Sequence, residues 1–184
     1  MKKSLYISGI IIFLVISCFL YENYKFTKYI NNSSQKNNMN IPINEKAPVV
    51  ASSEIEIEAS VDTVWAVLTN INHWPSWMKD VTKTVVQGDI KQGTKFNWKA
   101  AGLSFSSQIH TSNPKTQFGW TGKTIGASAI HNWFFEKKGN FTVVKVEESM
   151  QGVLPRLFAG AFQKNLNSDV IKDLKDLKAA AEHK

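Results

Sequence analysis

Cysteine and arginine are almost missing from this sequence. Its 184 residues hold one of each, Cys18 and Arg156. A lone cysteine excludes a disulfide within the chain and a cysteine-based metal site. A dedicated nucleic-acid binder concentrates Arg and Lys on one face, and no such concentration exists here. The formal charge is +7, but residues 1–50 supply +4 of it, from six lysines against two glutamates, leaving +3 for residues 51–184. Also absent are a Gly-x-Ser-x-Gly elbow, a phosphate loop, a dinucleotide fingerprint and a His-Glu-x-x-His pair. The four histidines (His73, His110, His131 and His183) are dispersed without metal-ligand spacing. No metal and no cofactor is expected, and no nucleic-acid partner. No repeat recurs at solenoid or propeller spacing, and nothing sets an oligomeric state.

What is there starts with a membrane-targeting segment, residues 1–21. Lys2 and Lys3 precede an uncharged run from Leu5 to Tyr21. Three readings stand. A retained transmembrane anchor sits at the lower edge of the ~17–25 residues that a bilayer core needs. A cleaved secretory signal would lack an Ala-x-Ala site. A lipoprotein signal would use Val15-Ile16-Ser17-Cys18 and lipidate Cys18, although Phe19-Leu20-Tyr21 continues the apolar run beyond it. All three predict a membrane-associated protein of a bacterial cell envelope. The terminal lysines favour a domain outside the cytoplasm, and Lys25, Lys28 and Lys36 partly offset them. Residues 22–50 read as a flexible polar tether, because Asn31–Asn38 is polar, low in complexity and without period.

Residues 51–184 read as one α+β domain. Ser53–Ala59 alternates charged and apolar residues, as a half-buried strand does. Ser60–Leu68 switches to helical spacing, with Ser60 or Asp62 as cap, and a short helical piece follows at Ile71–Met78. Six strands then alternate with turn residues: Val81–Gln87, Thr94–Ala100, Leu103–His110, Thr116–Thr121, Ile125–Glu136 and Phe141–Gln151. Such short connections favour antiparallel hairpins. Leu154, Leu157, Phe158, Ala161, Phe162, Leu166, Val170, Leu174, Leu177 and Ala181 then recur at steps of three and four, one face of a long helix with Pro155 in its first turn. The expected architecture is a curved antiparallel sheet of about seven strands, two short helices after the first strand, and one long C-terminal helix across the sheet.

Five stretches carry a family resemblance. Ile55-Glu56-Ile57-Glu58-Ala59-Ser60-Val61-Asp62-Thr63-Val64-Trp65 resembles the opening strand and helix of the START-like, or SRPBCC, superfamily in its polyketide cyclase/dehydrase branch. Asn72-His73-Trp74-Pro75-Ser76-Trp77 and Gly93-Thr94-Lys95-Phe96 resemble its next helix and strand. His131-x-Trp133-x-Phe135 and the Thr142…Glu148…Gly152 ending resemble its last two strands. The resemblance covers residues 51–182 and departs at Val61, where the family often has Pro. It implies a helix-grip fold with a deep, mostly apolar cavity between sheet and long helix. It also implies a hydrophobic small molecule or lipid as ligand, or, in a minority of members, cyclase or dehydrase chemistry.

Strand alternation assigns the inner face. Phe96 and Trp98 point inward, as do Phe105 and Ile109, Phe118 and Trp120, His131 and Trp133, and Val146 and Glu148. Phe158 and Phe162 reach them from the helix or belong to its core, and Trp74 and Trp77, flanking Pro75, form a lid at the cavity mouth or pack their helical piece onto the sheet. A hairpin turn at Lys137–Asn140 places His131 opposite Val146, with Glu148 as diagonal neighbour. An inward His–Glu pair orders the sheet, anchors a polar group of a ligand, or serves as a general acid and base. Three functions follow: a membrane-tethered binder or carrier of a hydrophobic molecule, a cyclase/dehydrase-like enzyme using His131 and Glu148, or an interaction domain whose cavity its own aromatics fill.

Overall fold

The computed structural model describes the backbone of residues 2–36 and 40–183, and the side chains from residue 12 onward within those ranges. The chain opens with helix α1 (Lys2–Lys36) and an extended segment, residues 40–48. Strand β1 (Val49–Ile57), helix α2 (Val61–Thr69) and a 3-10 turn (Ile71–Ser76) follow. Then come β2 (Val81–Val86), β3 (Lys95–Ala100), β4 (Leu103–Asn113), β5 (Gln117–Thr124), β6 (Ala127–Lys138) and β7 (Phe141–Gln151). Helices α3 (Val153–Leu157) and α4 (Ala159–Glu182) end the chain. The strands form one antiparallel sheet in the order β1-β7-β6-β5-β4-β3-β2, so only β1 leaves the meander, to pair with β7.

Local chemistry accounts for the main boundaries. Ser60 has extended backbone and its hydroxyl accepts from the Thr63 N–H at 3.1 Å, which caps α2. The β6–β7 hairpin turns on Gly139 and Asn140 alone, pairing Lys138 with Phe141. The β5–β6 turn lies at Ile125-Gly126, not at the expected Gly122-Lys123. Gly126 takes the positive φ of 72° that a tight turn requires, whereas Gly122 is extended inside β5 opposite Ser107 and Ala129. The expected single C-terminal helix is broken at Phe158, whose φ of −121° and ψ of 37° separate α3 from α4.

Helix α4 has 24 residues and is about 36 Å long. Leu166, Val170, Leu174, Leu177 and Ala181 are its buried stripe, packed mainly on β1 and α2. It also completes the edge of the sheet. Gln163 Nε2 donates to the Val50 carbonyl at 2.7 Å, and the Val50 N–H donates back to Gln163 Oε1 at 3.2 Å.

The described residues of the expected flexible tether, 22–36 and 40–50, are packed structure, and residues 37–39 of it lie outside the described residues. Helix α1 runs on to Lys36, and Phe26 joins Ile41 and Ile130 in a second apolar cluster on the outer face of the sheet. Tyr29 donates to the Ile43 carbonyl at 2.9 Å. Residues 40–44 are stitched down by Asn132 Nδ2 to the Ile41 carbonyl (3.0 Å) and Asn44 Nδ2 to Gln151 Oε1 (2.8 Å). Beneath this strap His110 is buried, and burial holds its imidazole well below the usual range, at about 3. Glu22, also buried, receives the Arg156 Nε–H at 2.9 Å, so the one arginine fastens α1 to α3. The expected membrane segment falls partly on residues 1–11, whose side chains lie outside the described residues. Among the described residues no helix is long and apolar enough to cross a membrane.

Candidate ligand cavity

A gradient of side-chain size along the inner face of the sheet makes the site. Toward the β6–β7 turn the inward residues are large: Phe96, Ile109, Phe118, Trp133, Phe135, Val144 and Val146, all buried. Toward the opposite end they are small: Ala100 on β3, Gly122 on β5, and Ala127 and Ala129 on β6. Trp98, Trp120, His131 and Glu148 occupy the layer between. The long helix cannot follow the shrinking side chains inward, so a gap opens at the small end. Its volume is about 180 Å³, and it is closed on the helix side by Leu166, Asp169 and Asp173. Roughly 150 Å³ already admits benzene. The gap thus takes a ring-sized body, and the rest of the grip is filled by protein.

His131 lies at the base of this gap. It pairs directly with Glu148 across the β6–β7 ladder, because the two-residue turn shifts the register from the four-residue turn expected; Trp133, not His131, faces Val146. His131 Nδ1 is 3.0 Å from Glu148 Oε2. The imidazole is held by rings on both sides, with centroids 4.4 Å from Trp120 and 5.5 Å from Trp133. Its Nε2 is buried and has no hydrogen-bond partner. A carboxylate at Nδ1 fixes the tautomer and leaves Nε2 to accept or pass a proton.

The helix contributes acid. Asp173 is half-buried against the cavity, and burial pushes its carboxyl up to about 7. His131 and Lys172 oppose that shift, and Glu148 and Asp169 add to it. Asp169, at the exposed rim, is pushed up by its partial burial and by Glu148 and Asp80, against Lys172. Lys172 itself is committed to Asp80 (2.9 Å) and Asp176 (3.0 Å). No lysine or arginine lines the cavity. Among the described residues no group of His, Cys, Asp and Glu has the geometry to hold a metal ion.

Residues 48–182 match the family described as polyketide cyclase / dehydrase and lipid transport. The chain belongs to this family. Several solved structures share the fold. A hypothetical protein from Helicobacter pylori superposes with a TM-score of 0.67 at 18% identity, over 74% of this chain and 90% of that one. A START superfamily protein from Mycobacterium smegmatis gives 0.65 at 13% identity, over 73% and 97%. The di-domain ARO/CYC of the steffimycin biosynthetic pathway gives 0.61 at 16% identity, over 74% and 52%. At these identities the likeness is one of fold. No curated protein matches the chain.

Within this polyketide cyclase/dehydrase and lipid transport domain, the expected lining residues divide into two groups. Trp98, Phe105, Trp120, His131 and Glu148 border the cavity. Phe96, Ile109, Phe118, Trp133 and Val146 share its face of the sheet but lie deeper, as buried core. Neither aromatic expected from the long helix borders the gap: Phe162 packs on the core, and Phe158 at the α3–α4 break is exposed. Trp74 and Trp77 are not at the mouth. Trp74 is fully buried and donates to the Leu68 carbonyl at 2.7 Å, and Trp77 packs partly buried on the core. Met78 and Val81, which follow them, do line the cavity. The expectation missed Asp169, Asp173, Ala100 and Gly122, and it did not count as lining Ala127 and Ala129, which alternate onto the His131 face. The run of small inward residues at one end of β3, β5 and β6 was the signal for it. Cys18 is exposed on α1.

Proposed function

We propose that the protein binds a compact, largely apolar molecule between the sheet and α4, and that it does so at a membrane surface. The carrying observation is the ring-sized gap bordered by Trp98, Phe105 and Trp120 with a single oriented imidazole at its base. Pockets of mainly apolar lining with few placed polar groups are what small-molecule sites look like. The volume sets the class, because a diacyl lipid exceeds it several-fold. Indole serves as a neutral probe in calorimetric titration of the full chain. Ala129→Phe, which fills the small end, is expected to weaken indole binding at least tenfold while the melting temperature moves by only a few degrees. Equal affinity in both proteins would sink the assignment of this cavity.

Membrane attachment draws on a different feature. The tips around the cavity mouth carry exposed apolar residues: Leu103 (45%), Ile125 (77%), Leu157 (68%) and Phe158 (57%). Helix α1 leaves the domain at the same end, where Phe19 and Glu22 lie beside Gly126 and Gly152. Its exposed Ile12, Phe13, Leu14, Val15, Ile16 and Leu20 extend that apolar surface. On this reading α1 anchors in the bilayer and the cavity opens toward it, outside the cytoplasm of a bacterial cell. Flotation of the full chain with liposomes is the check, and a chain that stays at the bottom of the gradient contradicts it. The enzymatic reading, of cyclase or dehydrase type, rests on the free His131 Nε2. Turnover abolished in His131→Gln with indole binding retained would favour it; a stability loss matching the activity loss would argue against it.

A further inference from the structure

We infer that the ligand of this cavity is an organic cation, a protonated amine on a compact apolar body. The inference rests on the reading of the cavity as a binding site, and three observations carry it.

The first is the sign of the charge. Four carboxylates border the gap, from Asp80, Glu148, Asp169 and Asp173, and no lysine or arginine does. Two of the four have a partner within the protein. Asp80 is held by Lys172 Nζ at 2.9 Å, and Glu148 by His131 Nδ1 at 3.0 Å. Asp169 and Asp173 take part in no ion pair among the described residues, because Lys172, which lies between them in sequence, points its ammonium at Asp80 and Asp176. Asp173, half-buried in an apolar wall without a counter-ion, is costly as a carboxylate, and a bound cation removes that cost, with Asp169 at the rim adding attraction of the same sign.

The second is the polarity of the imidazole. His131 is 93% buried. A ring protonated only at Nδ1, where it donates to Glu148, presents a lone pair at Nε2, the buried atom with no partner. A ligand that donates a hydrogen bond satisfies that atom.

The third is the wall. Trp98, Phe105 and Trp120 border the same space, and Trp98 and Phe105 are stacked with centroids 4.5 Å apart. Aromatic faces attract a cation and pack against an apolar body equally well. An anion gains nothing from any of these groups, and a neutral body leaves Asp169 and Asp173 uncompensated.

The test compares three probes with one phenyl body: 2-phenylethylamine, 2-phenylethanol and 3-phenylpropionate. They are titrated calorimetrically into the full chain at pH 7.5 and low salt. The amine is expected to bind at least tenfold more tightly than the alcohol, and the carboxylate more weakly than either. In the Asp169→Asn/Asp173→Asn double variant the amine-to-alcohol ratio should fall to within about threefold, and in Asp169→Asn alone to an intermediate value. Both replacements lie on α4 outside its apolar stripe, and a thermal melt reports whether the fold survives. Alcohol or carboxylate binding as tightly as the amine would overturn the cation inference and leave the cavity standing. An amine preference that persists in the double variant would also overturn it. No binding of any of the three would overturn the cavity reading itself.

Discussion

Trp74→Ala is expected to cost about 3–5 kcal/mol of folding stability. The residue is fully buried and central to the aromatic layer. Its ring centroid is 5.7 Å from Phe96, 5.9 Å from Trp98 and 5.4 Å from Trp120, the first two edge-on. Truncation leaves a cavity among stiff rings that cannot collapse into it, and it strands the Leu68 carbonyl that Nε1 now satisfies. A domain of this kind is stable by about 5–15 kcal/mol, so a large part of the folded population is at stake. Trp74→Phe retains the packing and loses the hydrogen bond, with an expected cost of roughly 1–3 kcal/mol. Urea unfolding followed by circular dichroism measures both. A loss below about 1 kcal/mol for the alanine variant would mean that the ring is not the packed centre described here but a mobile cover.

Asp173→Asn is expected to do the opposite and stabilise the protein at neutral and alkaline pH. Burial, with Glu148 and Asp169 adding to it, pushes the folded-state carboxyl from 3.8 up to about 7. Between those values the folded chain holds a proton that the unfolded chain has released. Stability therefore falls as pH rises through this window, and the penalty is complete above about pH 7. The full shift corresponds to about 4 kcal/mol as a ceiling. Water entering through the open mouth lowers the effective figure to roughly 1–2 kcal/mol. The variant should unfold at a higher urea concentration than the parent at pH 8, and the difference should vanish near pH 4. Equal midpoints at pH 8 would show that the carboxyl is well solvated. A carboxylate retained at the expense of stability in a cavity wall is what a binding role explains.

The sheet was legible because its chemistry is local. Each strand alternates and each hairpin is short, whereas the pairing of β1 with β7 came only with the structure. Errors arose where one residue's conformation decided the outcome. A glycine in the sequence does not say whether it turns. Gly126 does and Gly122 does not, and that choice makes the floor of the cavity. The hairpin at Gly139-Asn140 is two residues long rather than four, which moved His131 from diagonal neighbour to direct partner of Glu148. The strap was misread because Asn31–Asn38 dominates its composition. Phe26, Tyr29, Ile30, Ile41 and Ile43 carried the docking surface, yet their partner Ile130 is 87 to 104 residues away in sequence. Inward aromatics were assigned to the right face but not to the right depth. Depth depends on how far α4 stands off the sheet, which no single strand encodes. Asp169 and Asp173 escaped notice because they lie off the apolar stripe of α4, where a carboxylate ordinarily meets solvent.

Native mass spectrometry of the full chain, released gently from cells in a mild detergent and compared with Ala129→Phe, tests the central claim most directly. The claim predicts a small organic mass bound one-to-one to the parent protein, lost on denaturation and absent from the variant. A bare parent mass, or an adduct that persists unchanged in Ala129→Phe, would contradict it and leave a domain whose grip is filled by its own rings.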